Sequence, residues 1–541
     1  MADYTQWTHE ALIERVKELE KQMGEYAQSL PKSSPQEPTP TPSESTPEST
    51  KPLPPKKRQK KPKETKFTST RLIALKFAYL GANYNGFEYH LGNTTPLPTV
   101  EEEVFKALLK ARLVQGKDGR DDLLGWPGDD GAEYSKCGRT DKGVSAFGQV
   151  IGVRVRSNRP ASIKEDGTYE GEGAPPAWDP ILDEVSYVNI LNRLLPDDIR
   201  ILAWCPSPPE GFSARFNCRM RQYKYFFTNP FLPPFPSQSG KASKPITLDI
   251  AAMSEAAALY EGEHDFRNLC KVDATKQIDN FKRRIFHSSI TEANTAPPNF
   301  SPLPLVPMFS PASETGSIEA PKLYTFNLHG TAFLWHQVRH MIAILFLIGQ
   351  GLEKPSLITS LFDVETVSGK PTYEMADDRP LVLWDCVFPE DELEWIYPSG
   401  DLLDPVKSAK VKMDRRRDHY LVDVLWENWH KRKLEETLAG KLLEVTLADV
   451  YKRNTCDAIE DSESSGSEGE GKKKNKRKET AVMIMDGTSK PGYKGSYKPV
   501  LLRDRNDDVE VINQRYRDKK GEAFWAAKKA KYNDVDTPPV E

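Results

Sequence analysis

Strand-like and helix-like patterns of apolar and polar residues follow one another along the chain. Residues 71–79 alternate as a strand does, and a second alternation begins at Val144, directly after a glycine-bracketed turn. In residues 219–227 cations alternate with aromatic residues, so one strand face would carry charge while the other packs on a core. Further strands are predicted at residues 324–328 and 380–386.

Helical periodicity predicts helices before, between and after these strands. Residues 8–28 place apolar side chains on one face, and Thr99 stands as an N-cap before three glutamates and an apolar-periodic segment. Residues 333–349 predict a largely buried helix that ends at a glycine, and residues 418–447 are helix-prone.

Composition marks the segments that cannot form a core. The chain of 541 residues contains 43 prolines and 28% charged residues. Residues 31–66 are rich in Pro, Ser, Thr and Glu and contain a basic run, and residues 457–479 pass from acidic and serine-rich to basic. Both segments lack the apolar residues that would offset the entropy of ordering, so we predict that they are disordered.

The net charge of −4 does not by itself indicate a nucleic-acid partner. This average conceals a segregation of charge, since the Lys/Arg runs at residues 56–63 and 472–478 are separate from the acidic runs. The first basic run is a nuclear localisation signal, an arm that contacts RNA or merely a solvated segment, and the second is another candidate localisation signal.

Six cysteines, at positions 137, 205, 218, 270, 386 and 456, form no Cys-x-x-Cys pair and no regular framework. This spacing predicts reduced thiols in the cytosol or nucleus, with neither a zinc site nor disulfides. The longest apolar run, residues 341–348, is too short to span a bilayer, and the N-terminus has no apolar signal region. We therefore expect a soluble intracellular protein without a membrane partner.

The candidate chemistry centres on Asp141, a carboxylate between Arg139 and Lys142 in a turn bracketed by Gly138 and Gly143. Glycines permit a tight turn, and a strand follows, so the carboxylate would stand on a loop held by a rigid element. The simpler alternative is a solvated ion pair on a surface turn.

Two other interpretations of this turn fail on spacing. The two glycines have the separation of a phosphate loop, but Val144 and Ser145 stand where Lys and Ser/Thr are required. Cys137 has no cysteine nearby in sequence and no evident base, which argues against a thiol nucleophile.

The apolar helix predicted at residues 333–349 contains Arg339, and burial of an arginine is unfavourable without an anion. His336 and His340 have the i, i+4 spacing of a zinc helix, yet Gln337 occupies the place of the required glutamate and no third ligand is evident. Arg339 is therefore the informative residue of this helix.

Together these motifs resemble the TruA family of tRNA pseudouridine synthases. The resemblance is carried by residues 79–87, 136–150, 214–225 and 333–339. The segments at residues 264–271 and 380–386 are most similar to the eukaryotic branch that acts on tRNA positions 38 and 39.

The resemblance implies an α+β fold of two ferredoxin-like or RRM-like halves that form one continuous mixed sheet with a central cleft, plus helical and disordered extensions. We therefore divide the chain into seven segments: an N-terminal amphipathic helix (1–30), a disordered basic linker (31–67), the N-terminal half with the catalytic loop (68–207), the C-terminal half (208–400), a helical extension (401–456), a disordered acidic and basic segment (457–479) and a C-terminal tail (480–541).

The implied reaction is the conversion of uridine to pseudouridine in the anticodon stem-loop of tRNA, at positions 38 and 39. Asp141 would be the nucleophile or the acceptor of the C1′ proton. Its implied support is Arg339 as counter-ion, together with Arg139 and Tyr223, the tyrosine that stacks on the target base. The implied substrate-binding residues are Lys142, Tyr225 and Arg221.

The resemblance also implies that tRNA is the partner, that the protein is a homodimer, and that it needs no metal and no small-molecule cofactor. With the basic runs, we expect it in the nucleus and cytoplasm. Two alternatives remain: a catalytically inactive RRM-like tRNA-binding protein or chaperone, and a structural protein whose tails provide the function.

Overall fold

The computed structural model describes residues 69–90, 95–115, 133–164, 167–173, 178–231, 247–293, 322–397, 420–464, 482–488, 492–494, 496–521 and 524. The predicted N-terminal helix (1–30) and basic linker (31–67) lie outside the described residues, as do both basic runs. Within the described part of the chain, no helix is both long and apolar enough to cross a membrane.

One nine-stranded sheet runs through the described residues. Its strands are β1 Thr70–Tyr79, β2 Ser135–Lys136, β3 Ser145–Arg156, β4 Ile199–Cys205, β5 Met220–Asn229, β6 Gly262–Asp265, β7 Lys282–Glu292, β8 Lys322–Gly330 and β9 Leu381–Val387. Their order is β4-β1-β3-β9-β5-β8-β7-β6, and β2 pairs beside β3. A separate hairpin joins β10 Val482–Ile484 to β11 Gly492–Lys494.

The two halves of the sheet meet where β3 lies parallel to β9, with Ser145 opposite Val382 and Ala146 opposite Leu383. The other strand pairs that the structure describes in this sheet are antiparallel. The expectations of an α+β fold and of one continuous mixed sheet are therefore confirmed. We call the β3–β9 contact the seam.

The helices are α1 Val100–Lys110, α2 Tyr187–Asn192, α3 Ile250–Ala258, α4 Gln337–Gly349, α5 Leu357–Phe362, α6 Tyr420–Ser464 and α7 Val509–Lys520. Helix α1 begins as predicted, because Thr99 and Glu102 form a reciprocal capping box. Helix α4 is buried along its whole length. Helix α6 continues to Ser464, eight residues into the segment that composition assigned to disorder.

Two hydrophobic cores cover the two halves. One packs β1, β3 and β4 against α1 and α2, and the other surrounds α4 with β5, β8 and α3. Tyr223 contacts both cores, which places it at the seam. The C-terminal tail contributes Ile484, Met485, Val500 and Val509 to the second core, so the described part of this tail is docked on the C-terminal half.

Candidate active site

The loop between β2 and β3 carries Asp141 and is held from beneath by Gln149, a fully buried side chain. The Gln149 carboxamide accepts from the Gly138 amide at 3.0 Å and donates to the Gly138 carbonyl at 3.0 Å. Gly143 adopts a φ of +81°, in the left-handed region that favours glycine. This loop is therefore fixed by backbone contacts on both sides of the carboxylate.

The turn at residues 81–87 supports the other side of the same loop. The Phe87 amide donates to the Thr140 carbonyl at 3.0 Å, and the hydroxyls of Tyr79 and Thr140 are 2.6 Å apart. Gly86 approaches so closely that a Cβ there would lie 2.9 Å from the Thr140 carbonyl oxygen. The glycines of this turn thus allow it to pack against the loop that bears Asp141.

Asp141 lies in a mostly closed site, with 22% of its side chain exposed. Burial raises the pKa of its carboxyl to about 6, although Arg339, a hydrogen bond from the Trp335 side chain and Lys271 all favour the ionised form. Asp378 acts in the opposite direction, because its negative charge opposes ionisation of Asp141. The carboxylate is therefore ionised at neutral pH yet protonated in mild acid.

Arg339 is buried as expected, but its contact partner differs from the predicted one. Its Nε donates to the Ala376 carbonyl at 2.8 Å, and its Nη2 lies 3.6 Å from Oδ2 of Asp378. The prediction that Asp141 is its paired anion is therefore corrected: Asp378 is the ion-pair partner, and Arg339 acts on Asp141 through space. Asp378 was missed because nothing local distinguishes an acidic residue just before a strand.

His336 lies beside Asp141, with its Nε2 3.6 Å from Oδ2 of the carboxylate. Burial and then the charge of Arg339 lower the pKa of this imidazole to about 4, so it is neutral at physiological pH and forms no ion pair. It has a left-handed φ of 60° and precedes α4, which begins at Gln337 rather than at residue 333. His336 and His340 therefore do not form a zinc pair on one helix.

Tyr223 and Tyr225 follow each other on one face of β5 but have different surroundings. The Tyr223 ring packs edge-on against Phe333 at 5.0 Å, and burial, with help from the charge of Asp141, raises its pKa. Tyr225 is fully buried against Phe346 at 5.8 Å. Helix α4 covers the Tyr225 ring, which disfavours contact with the substrate, and that contact stays a prediction.

The three cations predicted to lie around the loop, Arg139, Lys142 and Arg221, also have different surroundings. Arg139 is half-exposed and pairs with Glu88 at 3.3 Å, and Lys142 is exposed. Arg221 instead donates to four main-chain carbonyls, those of Cys137, Arg215, Cys218 and Thr331. The protein's own backbone occupies the Arg221 guanidinium, which disfavours substrate binding by Arg221, and that assignment stays a prediction.

One residue near the cleft was not singled out from the sequence. Lys271 is exposed, and its Nζ lies 4.5 Å from the centre of the Trp335 ring. The sequence motifs assign no function to it. A lysine after a buried segment is only a weak sequence signal for a functional residue. The structure identifies Lys271 because its charge favours the ionised form of Asp141.

Three cysteines meet beside the loop, although Cys137 has no cysteine nearby in sequence. The sulfur atoms of Cys137, Cys218 and Cys386 all lie within 4.8 Å of one another, and all three residues are buried. Their large separation in sequence conceals this cluster from any spacing rule.

Comparison with known proteins places this site in a family. A family model described as tRNA pseudouridine synthase matches residues 256–389. The tRNA pseudouridine(38/39) synthase of Saccharomyces cerevisiae is 37% identical over 529 residues, which is 96% of this chain and 92% of the yeast protein. The chain belongs to the TruA-type family of tRNA pseudouridine synthases, and the resemblance inferred from the motifs is confirmed.

Other relatives match a smaller part of the chain. The tRNA pseudouridine(38/39) synthase of Mus musculus is 42% identical over 328 residues, which is 60% of this chain and 57% of the mouse protein. The tRNA pseudouridine synthase A of Methanothrix thermoacetophila is 29% identical over 326 residues, 60% of this chain and 85% of that protein.

Proposed function

We propose that this protein is a tRNA pseudouridine synthase that isomerises uridine to pseudouridine in the anticodon stem-loop, at positions 38 and 39. The proposal rests on the surroundings of Asp141. This partly buried carboxylate has a pKa of about 6 and lies near Arg339 and Tyr223, close to the seam. The yeast and mouse relatives bear the name of this activity and this position.

The reaction moves the ribose C1′ from N1 to C5 of the same uracil, so the C1′–N1 bond breaks and a C1′–C5 bond forms. N1 gains a proton and C5 loses one, and no net oxidation occurs. A base within an RNA stem must first leave the stack, which costs a few kcal/mol. Stacking on the Tyr223 ring contributes about 1–3 kcal/mol and offsets part of this cost.

Asp141 then acts in its ionised form, whether as the nucleophile at C1′ or as a proton acceptor on the ribose. The burial that raises its pKa also makes the carboxylate a stronger base and nucleophile than it would be in water. Arg339 limits this shift, so that most of the population remains ionised at pH 7.

The exposure of the cations Arg139, Lys142 and Lys271 around the cleft supports a role in contacting phosphates. Such contacts give an affinity that falls with salt and depends on the shape of the RNA more than on its sequence. Arg139 must first release Glu88, its ion-pair partner at 3.3 Å.

We also propose that the protein acts as a homodimer and is found in the nucleus and cytoplasm. The support for the homodimer is the resemblance to TruA enzymes, and that for the location is the pair of basic runs in the sequence. Sedimentation of the full chain would test the first, and a fluorescent fusion without residues 56–63 and 472–478 would test the second.

The test of the activity is the substitution Asp141→Asn, with pseudouridine mapped at single-nucleotide resolution in tRNA after incubation with the protein. We expect complete loss of pseudouridine at both positions while tRNA affinity stays within a few-fold. The matched control is Glu255→Gln, an exposed carboxylate on α3, which should leave activity unchanged. Substantial activity in Asp141→Asn would refute the role of Asp141, whereas a wild-type protein that binds tRNA but forms no pseudouridine would favour the tRNA-binding alternative.

A further inference from the structure

Three separate parts of the chain bring one thiol each to the same place. Cys137 immediately precedes the loop that bears Asp141, Cys218 lies two residues before β5, and Cys386 belongs to β9. Their sulfur atoms lie within 4.8 Å of one another, and each residue is 4–6% exposed. In the described part of the chain, this is the sole group of His, Cys, Asp or Glu side chains with metal-ligand spacing.

The backbone around these cysteines is held by hydrogen bonds on all three sides. The Cys137 amide donates to the Val150 carbonyl at 2.9 Å, and the Arg219 amide next to Cys218 donates to the Val387 carbonyl next to Cys386 at 2.9 Å. The arrangement of the thiols is therefore set by strand pairing and does not depend on a flexible loop.

Arg221 supplies a positive charge beside the thiols, and none of the carboxylates that the structure describes pairs with it. Its guanidinium donates to the carbonyls of Cys137 at 3.3 Å and Cys218 at 3.1 Å. A partly buried cation of this kind is stabilised by an anion, and the thiols are the groups that can provide one.

Three thiolates around one divalent ion carry a net charge of −1, which the adjacent guanidinium of Arg221 can balance.

We propose that Cys137, Cys218 and Cys386 form a trithiolate site for one thiophilic divalent metal ion, with Zn²⁺ as the ion that sulfur ligands select. Zinc–sulfur bonds of about 2.3 Å in tetrahedral geometry require sulfur–sulfur separations of about 3.8 Å, which a small contraction of the cluster provides. A water molecule or an added thiol would occupy the fourth coordination position of the ion.

The location gives the site a structural role. Cys137 is four residues before Asp141, whereas Cys218 precedes β5 and Cys386 lies on β9, and all three pack into the first hydrophobic core. A bound ion would therefore join the catalytic loop to β5 and β9 across the seam. None of the described interactions of Asp141 involves a thiol. We therefore expect the ion to affect the stability of the loop more than the rate of the reaction.

The first experiment measures metal in the full-length protein purified under reducing conditions without chelator. We expect about one zinc per chain, released by a mercurial that titrates thiols. Replacement by Co²⁺ should give a sulfur-to-cobalt charge-transfer band in the near ultraviolet and d–d bands of a tetrahedral ion. A metal-free protein that gives no such spectrum with added Co²⁺ would overturn the proposal, as would a disulfide among these cysteines in the isolated protein.

Variants locate the metal. Cys386→Ser and Cys218→Ser should each weaken binding at least tenfold in a competition assay with a chromogenic chelator. Cys205→Ser and Cys270→Ser are matched controls, since both are buried cysteines outside the cluster, and they should keep full stoichiometry. Unchanged metal content in the double variant Cys218→Ser, Cys386→Ser would place the ion elsewhere and refute the site; if that variant fails to fold, the wild-type cobalt spectrum still decides.

Discussion

The two halves of the molecule contribute different things to one site. The N-terminal half positions Asp141 by backbone hydrogen bonds and close glycine contacts around its loop. The C-terminal half contributes the side chains that control the charge of that carboxylate, above all Arg339 and Asp378. Position and protonation are thus set by separate regions, and the seam between β3 and β9 is what brings them together.

The surroundings of Asp141 also depend on how α4 packs. Arg339 lies on this buried helix, and Trp335 and His336 lie just before it. Any shift of α4 would change the surroundings of Asp141 without moving the catalytic loop itself. Variants in each half should therefore separate effects on charge from effects on geometry.

The largest effect in the C-terminal half is expected for Arg339→Ala. Loss of a nearby opposite charge raises a carboxyl pKa by about 1–3 units, so the ionised fraction of Asp141 at pH 7 would fall from most of the population to between about half and one per cent. We expect a roughly two- to hundredfold lower kcat/KM at pH 7, with partial recovery at pH 9. Arg379→Ala, an exposed arginine next to Asp378, is the control, and a loss that pH cannot restore would point to geometry instead of charge.

In the N-terminal half, Gly143→Ala tests the geometry of the loop. Its φ of +81° is strained for alanine by about 1–3 kcal/mol, and a Cβ there would lie 2.3 Å from Oδ1 of Asp378. Gly351→Ala is the matched control, because it has a φ of +70° with open space around the added Cβ. We expect a similar loss of unfolding free energy in both variants but a tenfold or larger loss of kcat/KM only in Gly143→Ala; equal activity would show that the contact with Asp378 is unimportant.

At the seam, Tyr223→Ala and Tyr225→Phe compare two tyrosines on one strand face. Removal of a stacking ring should lower kcat/KM by roughly ten- to hundredfold, corresponding to about 1–3 kcal/mol. The Tyr225 hydroxyl is buried and lacks a hydrogen-bond partner among the described residues, so Tyr225→Phe should keep activity and leave the melting temperature unchanged or slightly higher. A large loss of activity in Tyr225→Phe would contradict its place in the core.

The smallest effect at neutral pH is expected for Asp378→Asn. In the wild type, kcat/KM should fall tenfold per pH unit below about pH 6, as Asp141 becomes protonated. The negative charge of Asp378 raises the pKa of Asp141, so its removal should move this acidic limb to lower pH by about one unit. A limb that moves to higher pH would show that Asp378 acts mainly by orienting Arg339.

The features that could be predicted from the sequence are those that residues close together in the chain determine. The capping box at Thr99, the glycine-bracketed loop of Asp141 and a buried arginine in an apolar helix each depend on residues close together in the chain. The division into halves at residues 207 and 208, and the role of each candidate residue, remain predictions that the experiments above address.

Only the tertiary structure decided which distant residues meet. Strand alternation puts Tyr223 and Tyr225 on one face, but the position of α4 decides which ring is covered. The pairing of Arg339 with Asp378 and the use of Arg221 by four carbonyls depend in the same way on segments far apart in sequence. Short-range patterns report backbone conformation and burial, whereas ion pairs and thiol clusters depend on strand order and register, which no local pattern encodes.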